Sequence, residues 1–164
     1  MASKDDDGTQ KLWRMIKDIR YAMLTSEDGD MLRSRPMAAS QSEFDGTLWF
    51  FTRADSHKVR EVAADDRVAV SYADPDRQTY ISLSGHARLE RDPALIRAHW
   101  GEAMRTWFPK GKDDPEIALL RVTVDAAEYW DAPSAAMVHL YGYAKAVLTG
   151  HPPSPGDHGK LRLS

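Results

Sequence analysis

Residues 48–58 read LWFFTRADSHK: a short apolar run closing on a hydroxyl, a polar turn, then Ser, His and Lys where a helix would begin. The run Leu48, Trp49, Phe50 and Phe51 has the composition of a strand, and Ser56 has the chemistry of a helix cap. Asp45-Gly46 stands just upstream, and Glu27-Asp28-Gly29-Asp30 separates two earlier strands expected at residues 21–25 and 31–41. Asp-Gly tolerates the positive φ of hairpin turns. Three strands joined by such short connections form an antiparallel meander and exclude a βαβ unit.

Working outward, residues 67–73 make a fourth strand with Val68 and Val70 on one face, and Asp74-Pro75-Asp76 a turn. Residues 80–89 make a fifth strand, with Gly85 where a bulge is cheap, and residues 117–124 a sixth. Asp92-Pro93 starts a helix that carries Leu95, Ile96, His99 and Trp100. Residues 127–130 are expected as a short strand or turn, and residues 134–148 as a last helix with Met137, Leu140, Tyr141, Ala144 and Leu148 on one stripe. At the other end, residues 1–8 are expected to be a disordered tail, and a helix begins at Gln10 with Leu12, Met15, Ile16 and Ile19 on one face. The Pro- and Gly-rich residues 151–164 read as an extended arm. With no internal repeat, residues 9–150 form one domain: mainly β (α+β), an antiparallel barrel with covering helices.

At 164 residues the chain is long enough to bury a core, and without cysteine it has no disulfide, thiol nucleophile or thiolate metal site. A net charge of −3, from 22 basic and 25 acidic residues, lacks the footprint of a nucleic-acid binder. The polar start MASKDDDGTQ and the absence of a long apolar run point away from secretion and membranes, towards the cytoplasm. The six His form no close ligand pair, so no metal is expected, and no Gly-x-Ser-x-Gly elbow is present. The cluster Trp100, Trp107 and Phe108 reads as packing.

Strand alternation puts Arg33, Arg35 and Met37 on one face of the second strand, and Pro36, which cannot donate to a ladder, marks an edge or bulge. A phosphate monoester needs cations, hydroxyls and free amides together. Thr52 and Ser56 offer hydroxyls, Lys58 and Arg35 offer charge, and the helix start offers N–H groups. Taken alone, the same letters also describe a Ser-capped helix beside a solvated Lys and Arg.

Four motifs in order, SRPM (34–37), WFFTRADSHK (49–58), YISLSGHARL (80–89) and AEYWDAP (127–133), resemble the pyridoxamine 5'-phosphate oxidase-like split-barrel flavoproteins, closest to their general stress protein branch. The resemblance spans residues 10–148 and implies a six-stranded antiparallel split β-barrel, a homodimer with FMN at the subunit interface. By motif, Arg35, Pro36 and Met37 would line the flavin, Phe51 and Thr52 flank it, and Ser56, His57 and Lys58 grip its phosphate. Trp130 would approach the ring from the partner subunit, and Tyr80 would stand at a polar flavin contact. The implied function is a stress-related flavin oxidoreductase, reduced by NADH or NADPH, of unknown substrate and with no protein acid or base named; the alternative is a non-catalytic flavin-binding or flavin-sensing module. Two departures qualify it. His57 replaces a second Arg, giving a weaker, pH-dependent cation. The terminal LRLS does not match the substrate segment of the pyridoxamine oxidases proper, so oxidation of pyridoxamine phosphate is not implied.

Overall fold

The computed structural model describes residues 4–131 and 157–163. In order these form α1 (Lys4–Ile16), β1 (Ala22–Asp28), β2 (Met31–Met37), β3 (Thr47–Arg53), α2 (His57–Ala64), β4 (Arg67–Asp74), β5 (Thr79–Glu90), α3 (Pro93–His99), a 3-10 turn (Glu102–Thr106), β6 (Ile117–Asp131) and β7 (Asp157–Arg162). All pairings are antiparallel, in the order β2-β1-β4-β5-β6-β3, with β7 also on β6. The long β6 is where the sheet divides. Its first half, to Thr123, pairs with β3, and its second half, Ala126 to Asp131, pairs with β7.

The sheet therefore has seven strands rather than the six expected, and it does not close into a continuous barrel. The seventh comes from the tail expected as an extended arm: residues 157–162 cover the half of β6 that β3 does not reach. An edge left with unpaired amides and carbonyls invites such cover. Nor are residues 1–8 wholly a disordered tail, because α1 begins at Lys4. β2 stops at Met37 rather than at residue 41, since Gln41 ties the following loop through its side chain, donating to Glu43 O and Thr47 O and accepting from Trp49 N. Residues 134–148, expected as a last helix, lie outside the described residues.

Period-two burial explains the strands. In β4 Val68, Val70 and Tyr72 point inward, and in β5 Ile81, Leu83 and Ala87 do. The β5–β6 register shifts at Ser84/Gly85, where a methyl group on Gly85 would strike the Thr123 carbonyl. Asp92 caps α3 by accepting from Ala94 N at 2.8 Å, with Pro93 in the first helical position. Two apolar clusters result. The larger fills the barrel under α1 around Leu12, Leu24, Phe50 and Leu83; the smaller gathers Phe51, Ile96, Phe108, Ile117 and Leu119 beneath α3. Among the described residues no helix is long and apolar enough to cross a membrane.

Candidate functional site

Thr52 is the penultimate residue of β3, and four residues later Ser56 caps α2. Ser56 has cap dihedrals, but its side chain makes no cap hydrogen bond; its hydroxyl instead lies 3.1 Å from Thr52 Oγ1. Lys58 Nζ donates to that same Thr52 oxygen at 3.3 Å. Two hydroxyls, one ammonium and the amides of a helix start thus converge within a few ångströms. Lys58 is half-buried, and burial, reinforced by the neighbouring Arg35 charge, holds its ammonium below the ordinary lysine value despite some relief from Glu61. Among the described residues no carboxylate lies within ion-pair distance of it. A desolvated cation without a counter-ion is the electrostatic signature of an anion site.

The hydroxyl end opens into a cavity of about 340 Å³. Pro36, Met37 and Phe51 form one wall, and Met104, Trp107 and Phe108, from the 3-10 turn and just beyond it, form the other. Phe51 is held edge-on to Trp100 (5.7 Å, 89°) and tilted against Phe108 (6.1 Å, 55°), so its ring has little freedom. Tyr21 and Trp107 stand at the rim, 46% and 67% exposed. The result is a mostly apolar slot with a cation and hydroxyls at one end. A larger cavity of about 560 Å³ lies between α1 and the β4–β5 turn, but its charged lining, Lys11, Arg14, Asp76, Arg77 and Asp131, already mixes both signs.

Arg35 takes a different place from Lys58. It donates through Nη2 to Glu61 Oε2 at 2.6 Å and through Nη1 to Ser26 Oγ, and Ser26 donates in turn to the same Glu61 oxygen. Glu61 is only 4% exposed. Burial pushes its carboxyl up, but the bonds from Ser26 and Arg35 outweigh that and hold it below the ordinary value. The Arg35 charge is therefore committed to a buried partner rather than presented to a ligand. His57 also turns aside: Nε2 lies 3.1 Å from Asp28 Oδ2 and 3.4 Å from Glu61 Oε1, while Arg60 Nη2 meets Nδ1 at 2.9 Å. Arginine only donates, so Nδ1 accepts and the ring proton sits on Nε2. Asp28, His57 and Glu61 have the composition of a metal cluster, with one ligand atom from each within 4.8 Å of the others.

Of the ten residues expected at the site, Pro36, Met37, Phe51, Thr52 and Lys58 line the slot, and Ser56 adjoins it through Thr52. Arg35 and His57 bond to Glu61 and Asp28. Tyr80 and Trp130, cross-strand partners on β5 and β6, do not line the slot; Trp130 stacks on His158 with ring centres 5.3 Å apart. The sequence reading missed Tyr21, Met104, Trp107 and Glu61. Glu61 carried a signal, a carboxylate one helical turn beyond His57 and on its face.

The family model described as Pyridoxamine 5'-phosphate oxidase like matches residues 7–154. Protein bli-3 of Neurospora crassa is 27% identical over 144 residues, covering 81% of this chain and 69% of that protein. Among solved structures, the general stress FMN/FAD binding protein of Xanthomonas citri is 30% identical, with a TM-score of 0.69 over 77% of this chain and 90% of that one. A Clostridium acetobutylicum protein related to general stress protein 26 (pyridoxinephosphate oxidase family) shares the fold at 13% identity, with a TM-score of 0.72 over 96% of this chain and 95% of that one. Fold, motif order and family match agree, and the chain belongs to the pyridoxamine 5'-phosphate oxidase-like family.

Proposed function

We propose that this protein binds FMN, phosphate end in the Thr52–Ser56–Lys58 cradle and isoalloxazine in the slot between Met37 and Phe51 on one side and Trp107 on the other. The observation that carries the reading is Lys58, a half-buried cation with no carboxylate partner among the described residues, at the polar end of an apolar slot of about 340 Å³. The lining suits a flavin: a flat ring needs apolar walls, and a phosphate monoester needs charge and hydroxyls at one end. The FMN/FAD binding relative from Xanthomonas citri supports the same reading. Bound there, FMN would supply hydride and single-electron chemistry, and the protein would supply orientation and exclusion of water. Lys58 would hold the phosphate, Thr52 and Ser56 would orient it, and Glu61 would keep Arg35 beneath the cradle as a fixed positive charge.

The working form in this proposal is a homodimer with one FMN at each end of the interface, where the partner's Trp130, with Tyr80 beside it on the sheet, would complete the flavin's surroundings. Both rings are well exposed in the single chain, 39% and 42%, which suits burial against another surface. The activity would be that of a stress-related flavin oxidoreductase, with NADH or NADPH as reductant, working in the cytoplasm, a compartment in keeping with a chain free of cysteine. The second reading is a flavin binder or sensor, favoured by the absence of Asp, Glu and His among the described residues lining the slot.

Titration of the purified protein with FMN, followed by visible absorption and flavin fluorescence, tests the binding. A saturable shift with quenching is expected, and its absence would remove the flavin reading. Anaerobic mixing of the flavin complex with NADH or NADPH then separates enzyme from binder. Bleaching no faster than that of free FMN identifies a binder.

A further inference from the structure

The slot does not end at its rim. Tyr21, Ala38, Met104 and Trp107 line both the slot and a second cavity of about 450 Å³, so the two chambers share a wall of two exposed aromatic rings and a thioether. The second chamber lies between the end of α1, the link into β1, the stretch after β2 and the 3-10 turn. Trp13 adds another aromatic wall. Lys17 and Arg20 bring two positive charges that, among the described residues, have no carboxylate partner; Asp18 lines the same chamber and lies 4.0 Å from Arg77 Nη1, so the lining keeps a net positive charge.

At its inner side is Tyr72, 4% exposed, with a hydroxyl that has no hydrogen-bond partner among the described residues. Burial pushes that phenol above its ordinary value, so it stays protonated and available as a donor. The hydroxyl faces the chamber as a donor that an acceptor on a ligand can take up. Aromatic walls, two cations at the mouth and a lone donor inside call for one kind of molecule: a planar aromatic anion carrying a carbonyl or similar acceptor.

We infer that this second chamber is a binding site for a planar aromatic carbonyl compound with an anionic substituent, its ring between Trp13 and the Tyr21–Trp107 wall, its acceptor on the Tyr72 hydroxyl, its charge met by Lys17 and Arg20. Its meaning as the site of a second redox partner rests on the flavin reading, because only the shared wall places such a molecule beside the slot. The binding itself does not.

Anthraquinone-2-sulfonate is a suitable probe, and its binding to the flavin-free full chain is measured by calorimetry and tryptophan quenching. One saturable site is expected. Tyr72→Phe, which removes only the donor, weakens it about fivefold, the usual worth of one neutral hydrogen bond. The double change Lys17→Gln and Arg20→Gln weakens it about tenfold, as two exposed ionic contacts would. Lys58→Ala leaves it unchanged, and saturating FMN does not displace the probe. Probe binding with this variant pattern in a protein that takes no FMN supports the chamber while removing the flavin reading. A probe that is displaced by FMN, or is weakened by Lys58→Ala and indifferent to Tyr72→Phe and the double change, occupies the slot, and the inference is overturned. Absence of saturable binding overturns it as well.

Discussion

Replacement of Lys58 by alanine tests the cradle most directly, because its consequence can be worked out from the surroundings of one atom. Among the described residues Lys58 Nζ bonds only to Thr52 Oγ1, at 3.3 Å, and it has no carboxylate partner there to leave unpaired. Its desolvation is already incurred in the free protein, as its depressed pKa shows, so a bound phosphate gains the charge-assisted bond without a further burial penalty. Such a bond is worth about 1.5–3 kcal/mol. Lys58→Ala should therefore weaken FMN about 10- to 150-fold. Riboflavin has the same ring and no phosphate, and its affinity should hardly change. Parallel fluorescence titrations with the two ligands read the difference, and a urea melt should find the variant no less stable than the parent. A second readout follows from the sign of the shift. The phosphate needs Lys58 protonated, so FMN affinity should be flat at neutral pH and fall as pH rises through the lowered lysine value, and the variant should lose that alkaline fall. Equal losses for FMN and riboflavin, or an unchanged alkaline profile, would refute the assignment.

Arg35→Ala should behave in the opposite way, destabilising the fold by about 3–5 kcal/mol because it strands the buried Glu61 carboxylate; urea denaturation checks this, and adding Glu61→Gln should recover part of the loss. Because the folded-state pKa of Glu61 lies below its unfolded value of 4.5, its contribution is present above that value and disappears as pH falls through the folded one. Urea midpoints measured across that acid window should fall less steeply in Glu61→Gln than in the parent. Gly85→Ala should lower stability by about 1–3 kcal/mol, since a methyl group there meets the Thr123 carbonyl and the β5–β6 bulge must shift; a thermal melt reads it.

What could be read from the sequence and what could not divide along a physical line, the distance over which a residue's role is decided. Val68, Val70 and Tyr72 announce β4 because period-two burial is written into a few consecutive letters, and Asp92-Pro93 announces α3 because a cap bonds to an amide two residues away. The second half of β6 gave only a weak signal, a short strand or turn at residues 127–130, and β7 gave none. Ala126, Ala127 and Glu128 form no apolar run and are held by pairing with β5 on one side and β7 on the other, while DHGKLR holds a single large apolar residue and is a strand because β6 lies beside it. The site divides likewise. Thr52, Ser56 and Lys58 lie within seven residues of one strand-turn-helix unit and were legible together, whereas the facing wall of Met104, Trp107 and Phe108 comes from some fifty residues further on. Arg35 is the instructive case. Local alternation set it correctly on the face of Met37, yet whether a cation on that face serves a ligand or the fold depends on what stands opposite. Glu61, on a helix 26 positions later, takes its charge. Of two cations read alike from sequence, only Lys58 keeps a charge uncommitted among the described residues, and the two substitutions should therefore part, one losing phosphate and the other losing stability.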